Sequence, residues 1–339
     1  MTPLFSVIIP CCDVADYVVE CLDSLRRQRA TWECLVVIEE SKDATEAIIR
    51  QNVGDDPRFK IFTEPRSGSP ATPRNTGLKH ALGEYVVFMD GDDTFEEDAL
   101  SNLQDAIVRQ PDGDLYSIVM RRGEKVIEQL SWAAPGTAFS GPDLLVGFAR
   151  RKPILEAMVP LYVYRRAFLA ERNLRFVDGL LYEDEEFSPR AIYSARKIVA
   201  TRVPFYCYRI RNGQITGVAA NRQLNHFAVI YRSLFHFFGT IRPEVDPGKA
   251  LARLVLNKFL YLFFHPQYNK IVSIEELRTL MDTVFQGGTA DFLRLADKAS
   301  LPKRVGARLL ASSWKMGLVG LARHYFWLYF RLVEIRDRP

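Results

Sequence analysis

Four short runs of β-branched and aromatic residues dominate the N-terminal part of the chain: FSVII at 5–9, CLVVI at 34–38, FKIF at 59–62 and YVVFM at 85–89. Unbroken apolar runs of this length suit strands buried on both faces, not the alternating strands of a half-exposed sheet. Between them the spacing becomes helical, first at Tyr17, Val18, Cys21, Leu22 and Leu25, then over 44–51 and 73–82. Strand and helix in alternation predict an α/β fold, a Rossmann-like and mostly parallel central sheet flanked by helices. Such sheets bind ligands beyond the carboxyl ends of their strands. Here those ends are Pro10 to Asp13, Glu39 to Asp43 and Asp90 to Asp93, all polar or acidic.

Further along, the pattern predicts a helix over 95–110, a β-hairpin from 114–121 and 125–129, and a helix over 141–150 opened by Gly141-Pro142-Asp143. Residues 160–210 mix short elements around the acidic stretch Glu183 to Glu186. From about 221 the chain reads as helical, with Leu224, His226, Phe227, Ile230, Tyr231 and Leu234 as one amphipathic set and Leu251, Leu254, Val255, Phe259 and Leu262 as another. This divides the chain into a catalytic-type α/β domain over 1–220 and a C-terminal helical region over 221–339.

With 339 residues and 48% hydrophobic content, the chain can bury a sizeable core. No G-x-G-x-x-G follows the first strand and no G-x-x-x-x-G-K-[ST] occurs, which argues against a dinucleotide enzyme or a P-loop ATPase. The five cysteines form no spaced framework and read as reduced thiols, and no Cys/His spacing fits zinc. The formal charge of +4 is a small electrostatic footprint, so no nucleic-acid partner is expected. No basic region precedes an apolar segment of signal length, because Phe5 to Ile9 runs into Pro10; the reading is a cytoplasmic location.

The most chemically pointed stretch is Phe88-Met89-Asp90-Gly91-Asp92-Asp93, where an apolar strand breaks into three carboxylates around a glycine. Mg²⁺ and Mn²⁺ take oxygen ligands, often one or two carboxylates completed by substrate phosphates. In an extended backbone Asp90 and Asp92 point to the same side and Asp93 elsewhere. The competing reading is a solvated turn, since Gly and Asp favour turns for backbone reasons alone.

Taken in chain order, the motifs resemble the inverting family-2 glycosyltransferases of the GT-A fold, particularly bacterial members that build surface polysaccharides and decorate teichoic acids. The resemblance spans about 4–216. It rests on Ser6-Val7-Ile8-Ile9-Pro10 with the Tyr17 to Leu25 helix, Pro73-Arg74-Asn75-Thr76-Gly77-Leu78, Phe88 to Asp93, Leu174-Arg175-Phe176 with Gly179 to Phe187, and Tyr206 to Arg211 with Ile215-Thr216.

The resemblance implies a sugar transferred from a nucleotide-sugar donor, a UDP-sugar by default, to a hydroxyl of a polysaccharide, glycolipid or wall polymer. Asp92 would be the direct ligand of Mn²⁺ or Mg²⁺, and Asp90 would hold the ribose or base side of the nucleotide, with Gly91 permitting close approach. Pro10, Asp13 and Glu40 would line the nucleotide. Arg74, on a helix start, would pair with or orient Asp90; a surface arginine is the competing reading. Asp184 would be the general base, with Glu183 positioning it or binding acceptor. An acidic helix start explains the same residues without catalysis. Arg209 and Arg211 have planar forks suited to a diphosphate, and with Thr216 they fall in the family's mobile lid; strand-end structural arginines are the alternative.

The chain also departs from the family pattern. Cys12 and Asp13 stand where tyrosine and asparagine are usual, Glu39-Glu40-Ser41-Lys42-Asp43 replaces the usual acidic loop, and Pro73 replaces an alanine, at a position where proline is comfortable. The changed nucleotide-reading half motivates a second hypothesis, a catalytically silent relative that binds carbohydrate or a partner as a membrane scaffold. A nucleotidyltransferase would want a glycine-rich basic loop after the first strand, which Pro10 to Asp13 does not supply. After residue 300, eight basic residues face only Glu334 and Asp337. Arg304, Arg308, Lys315 and Arg323 recur on one face beside Leu309, Trp314, Leu318 and Phe326. Peripheral attachment to an anionic membrane surface, homo-oligomerisation and simple packing on the catalytic domain are three readings of that segment.

Overall fold

A computed structural model describes residues 2–150, 156–210 and 221–240, together with Glu275, Arg308 and Ala311. The chain separates into two compact units, one of 1–144 with 153–212 and the other of 145–152 with 213–339. The boundary thus falls at 212, and the piece 145–152 belongs with the second unit.

In the first unit the strands are β1 (Phe5–Cys11), β2 (Trp32–Glu39), β3 (Phe59–Glu64), β4 (Tyr85–Phe88), β5 (Thr94–Phe95), β6 (Leu115–Arg122), β7 (Lys125–Glu128), β8 (Ala138–Phe139), β9 (Tyr162–Arg165) and β10 (Ile198–Tyr208). The helices of this unit are α1 (Val18–Arg26), α2 (Thr45–Val53), α3 (Ala71–His80), α4 (Ala99–Arg109), α6 (Arg166–Glu171) and α7 (Glu183–Ser194), while α5 (Gly141–Arg150) begins in it and α8 (Asn221–Thr240) lies in the second unit. All ten strands join one sheet in the order β3-β2-β1-β4-β9-β6-β10-β5, with β7 on β6 and β8 on β10.

The first four strands are parallel, and every residue of β2 is buried, the apolar run CLVVI together with Glu33 and Glu39. The order 3-2-1-4 places a topological switch between β1 and β4, so a crevice opens where Cys11 and Asp90 follow their strands. Beyond β4 the expectation of a mostly parallel sheet gives way to a mixed one: β9 runs antiparallel to β4 and β6, and β6 pairs antiparallel with β7 but parallel with β10. The β6–β7 pair is a hairpin, whose tight turn returns the chain antiparallel.

The helices bury the residues that the spacing marks: Val18, Cys21, Leu22 and Leu25 on α1, and Leu100, Leu103 and Ile107 on α4. Gly77 shows why α3 carries a glycine, since a Cβ there would lie 2.3 Å from Ile8 Cγ2. The helix therefore rests directly on β1, and Arg74, one turn earlier, is carried into the sheet's carboxyl edge. In the second unit α8 buries Phe227, Ile230, Tyr231 and Leu234, spaced as one helical face. None of the described helices is long and apolar enough to cross a membrane. Leu251 to Leu262, the basic segment after 300 apart from Arg308, Arg211 and Thr216 lie outside the described residues.

Candidate active site

Asp90 to Asp93, shortly after β4, form a turn, not an extended strand end: Asp93 N donates to Asp90 O at 3.0 Å. The alternating-side argument for Asp90 and Asp92 therefore does not apply, and each carboxylate takes its position from its own partners. Asp90 accepts from Arg74 Nη2 at 2.7 Å. Asp93, only 1% exposed, accepts from the Tyr206 hydroxyl at 2.7 Å and from Arg209 N at 2.7 Å. The same Tyr206 oxygen accepts from Asp90 N at 3.0 Å, so one tyrosine clamps both ends of the turn. Burial, then the charges of Asp90 and Asp92, push the Asp93 carboxyl up to about 8. Asp92 stays half-buried at the crest of the turn.

Gly91 owes its identity to packing. A Cβ there would meet Cys11 Sγ at 3.0 Å, Pro10 O at 3.2 Å and Val14 Cγ2 at 3.3 Å. The glycine seats the turn against the end of β1, so close approach of a ligand is not needed to explain it.

Arg74 is the hub of the site. Its guanidinium is buried, with Nη1 on Glu183 and Nη2 on Asp90, and it lies 5.6 Å from the Phe176 ring centre. Burial works against its charge, but the carboxylates of Asp90, Glu183 and Asp184 outweigh that and raise its pKa. Glu183 begins α7, so one side chain ties the acidic turn to the helix that carries Asp184. Phe176 and Phe187 stack at 4.1 Å and both meet Phe88 of β4 edge to face, at 5.3 and 6.3 Å. Asn75 holds the same segment through Phe176 N and O at 3.0 Å each, and Ser69 donates to Leu180 O. Asp184 is half-buried and accepts from Glu185 N at 2.9 Å. Desolvation, followed by the charges of Glu183 and Glu185, raises its carboxyl well above the ordinary range, with Arg74 opposing.

The loops that follow β1, β2 and β3 are cross-linked. Asp13 adopts φ 53°, accepts from Lys42 N at 2.6 Å and pairs with Arg66 at 2.7 Å, which holds its carboxyl below the usual range. Asp13 N in turn donates to Ser41 Oγ at 3.2 Å. Asp43 accepts from Ala15 N and Thr45 N at 3.0 Å each. Glu39, not Glu40, is the buried acid of this loop and accepts from Ser67 N at 2.7 Å; Glu40 is exposed. Pro10 lies in β1 opposite Val37.

Arg209 is built into the wall of the site. Its Nε donates to Asp92 O at 2.9 Å, Nη2 pairs with Glu20, and the guanidinium lies 5.4 Å from the Tyr17 ring centre. Sequence reading assigned no role to Arg66 or to Tyr206 by itself, and left Asp93 open. Arg66 carries no local signal, since its partner Asp13 is remote in sequence, whereas Tyr206 follows from the aromatic alternation of Phe205 to Tyr208. Among the described residues no group of three or more His, Cys, Asp or Glu is placed to hold a metal ion.

Residues 6–172 match the sequence profile of glycosyl transferase family 2, and the chain carries a domain of that family. Over 247 residues it is 28% identical to TarS, a poly(ribitol-phosphate) β-N-acetylglucosaminyltransferase of Staphylococcus aureus, an alignment covering 70% of this chain and 39% of TarS. Over 251 residues it is 26% identical to a poly(ribitol-phosphate) β-glucosyltransferase of Bacillus spizizenii, covering 72% of this chain and 37% of that protein. The chain thus spans well under half the length of these relatives. The crystal structure of residues 1–349 of TarS with UDP-GlcNAc is similar with a TM-score of 0.76 at 21% identity, covering 95% of this chain and 91% of that one. The fold is therefore GT-A, a mixed central sheet flanked by helices.

Proposed function

We propose that the chain is an inverting glycosyltransferase that moves a sugar from a UDP-sugar to a hydroxyl of a polysaccharide, glycolipid or wall polymer, the last of the poly(ribitol-phosphate) kind. The observation that carries the reading is Arg74, which joins Asp90 of the acidic turn to Glu183 beside Asp184. Donor-side and acceptor-side carboxylates are thereby held in one buried ion network. The activities of the relatives and the UDP-GlcNAc bound by TarS support donor and acceptor class.

Mn²⁺ or Mg²⁺ fits Asp92. A single half-buried carboxylate, with no wider ligand cluster among the described residues, suits a hard cation that takes its remaining oxygens from a diphosphate and water. When bound there, the ion supplies neutralisation of the charge that develops on the leaving diphosphate. Asp90, fixed by Arg74, orients the nucleotide, and Arg209 fixes the main chain of Asp92 and the carboxylate of Asp93. Asp184 takes the proton of the acceptor hydroxyl as its oxygen bonds to the anomeric carbon and the bond to the diphosphate breaks, its electron pair leaving with UDP. A desolvated carboxylate is a stronger base than one in water, which suits that step.

The test is a UDP-sugar panel with Mn²⁺ and a poly(ribitol phosphate) oligomer, alongside calorimetry with UDP. Asp184→Asn should bind UDP as the parent does and lose about 10²- to 10⁴-fold in transfer, while Asp92→Ala should lose metal-dependent UDP binding. Transfer retained in Asp184→Asn removes that residue as base. A parent chain that binds no nucleotide sugar favours the silent scaffold.

A further inference from the structure

Tyr206 reaches both Asp93 and Asp90 N with its hydroxyl, so its face of the sheet is the one that carries the acidic turn. Two register shifts in β10, between Ala200 and Pro204 and between Pro204 and Tyr206, set that orientation. Tyr208 follows two residues later and shares the face. Across the ladder Tyr208 is registered with Arg122 of β6, and Arg122 with Lys125 of β7. Directly opposed residues in neighbouring strands put their side chains on one face. Tyr208, Arg122 and Lys125 therefore form a row that leaves the donor centre at right angles to the strands, with steps of about 4.8 Å.

The guanidinium of Arg122 lies 4.8 Å from the Tyr208 ring centre. Burial raises the pKa of the Tyr208 hydroxyl, with Arg122 opposing and the charges of Asp93, Asp90 and Asp92 adding to the rise. Arg122 and Lys125 are both exposed, and like charges directly opposite each other destabilise a strand pair, which an anion between them would relieve. Among the described residues no ion pair joins Arg122 or Lys125 to an acid: Glu96 engages Arg121, Glu128 engages Arg202, and Glu124 lies in the turn between the two cations.

We propose that Tyr208, Arg122 and Lys125 are an acceptor platform that takes the phosphodiester groups of an anionic polymer and leads its hydroxyl to the donor centre. The inference rests on the glycosyltransferase reading above and adds the polymer's charge as what the hairpin recognises. The aromatic ring offers a face to the polyol between phosphates, and the two cations hold successive charges.

The test compares the parent with the double variant Arg122→Gln/Lys125→Gln, as full chains with UDP and Mn²⁺ present. Binding of a poly(ribitol phosphate) oligomer should weaken on the order of tenfold, from two exposed charge contacts, and should lose part of its salt dependence. UDP binding should stay within about twofold, a range too small to signal a lost contact. Equal oligomer affinity in parent and variant overturns the platform. So does an oligomer-binding parent whose variant loses only binding to phosphatidylglycerol vesicles, which would make the hairpin a membrane contact. A parent that binds UDP but not the oligomer also overturns it and leaves the donor assignment standing, whereas a parent that binds neither removes the glycosyltransferase reading itself.

Discussion

Replacing Arg74 by methionine keeps the aliphatic stem beside Phe176 and removes the charge that Asp90 and Glu183 share. Asp90 is 33% exposed at its side chain and can be re-solvated, but Glu183 is 6% exposed and cannot. The cost therefore falls on Glu183. Breaking a buried pair from one side costs about 3–5 kcal/mol, and we take the lower end, about 3 kcal/mol at pH 8, because only one of the two carboxylates stays buried. Glu183 already titrates above its ordinary 4.5 because of burial, with Arg74 opposing the shift. Without Arg74 its folded-state pKa rises further. A carboxyl that is harder to ionise folded than unfolded costs stability at every pH above its unfolded value, and the cost disappears as pH falls to that value. The variant should therefore lose about 3 kcal/mol at pH 8 and about 1 kcal/mol at pH 5 relative to the parent, read by urea denaturation. In thermal unfolding at pH 8 the loss corresponds to about 6–12 °C. Arg74→Lys, with one compact head, can satisfy only one carboxylate and should fall between. A loss below about 1 kcal/mol at pH 8, or an equal loss at both pH values, would refute the assignment of Glu183 as the dependent partner.

Gly91→Ala should destabilise by about 1–3 kcal/mol through overpacking against Cys11 and Pro10, measured by thermal unfolding; an unchanged melting temperature would return the glycine to a ligand-facing role. Tyr206→Phe removes the donor to Asp93 and the acceptor for Asp90 N, and should cost about 2–4 kcal/mol from two buried groups left short of a partner. Its UDP affinity in Mn²⁺ should fall with it, because the turn that presents Asp92 loses its clamp.

The sheet was legible where burial alone dictates sequence. β1, β2 and β4 are buried along nearly their whole length and carry runs of consecutive apolar residues, so their alternation with helices is visible, whereas β3 is only half-buried over most of its length and is marked by Phe59, Ile61 and Phe62. The C-terminal half of the sheet obeys other constraints. β10 carries Pro204 and a left-handed Arg202 at φ 57°, which interrupt any simple pattern while the ladder to β6 persists around them. β5 and β8 are two residues each and exist only because β10 offers an edge. In the site, Asp90, Asp92 and Asp184 were singled out by residue type and by the family resemblance, but their geometry could not be read from the sequence. The turn at Asp90–Asp93 is fixed by Tyr206 and Arg209 from more than a hundred residues away, and the glycine within it by the end of β1.

The altered loops on the nucleotide side are the strongest sequence argument for a silent relative, and their structure weakens it. Here the substituted residues are bonded to one another: Asp13 to Lys42 N, Ser41 and Arg66, Asp43 to Ala15 and Thr45, and Glu39 to Ser67. Asp13 even holds a left-handed backbone, a strain of about 1–3 kcal/mol that only a surrounding network sustains. The ends of β1 and β2 and the loop after β3 are thus locked together by side chains of opposite charge and by backbone amides. Under the proposed glycosyltransferase reading, this mutually bonded wall beside the acidic turn is where a changed donor preference would be sought, at Asp13, Arg66 and Glu39.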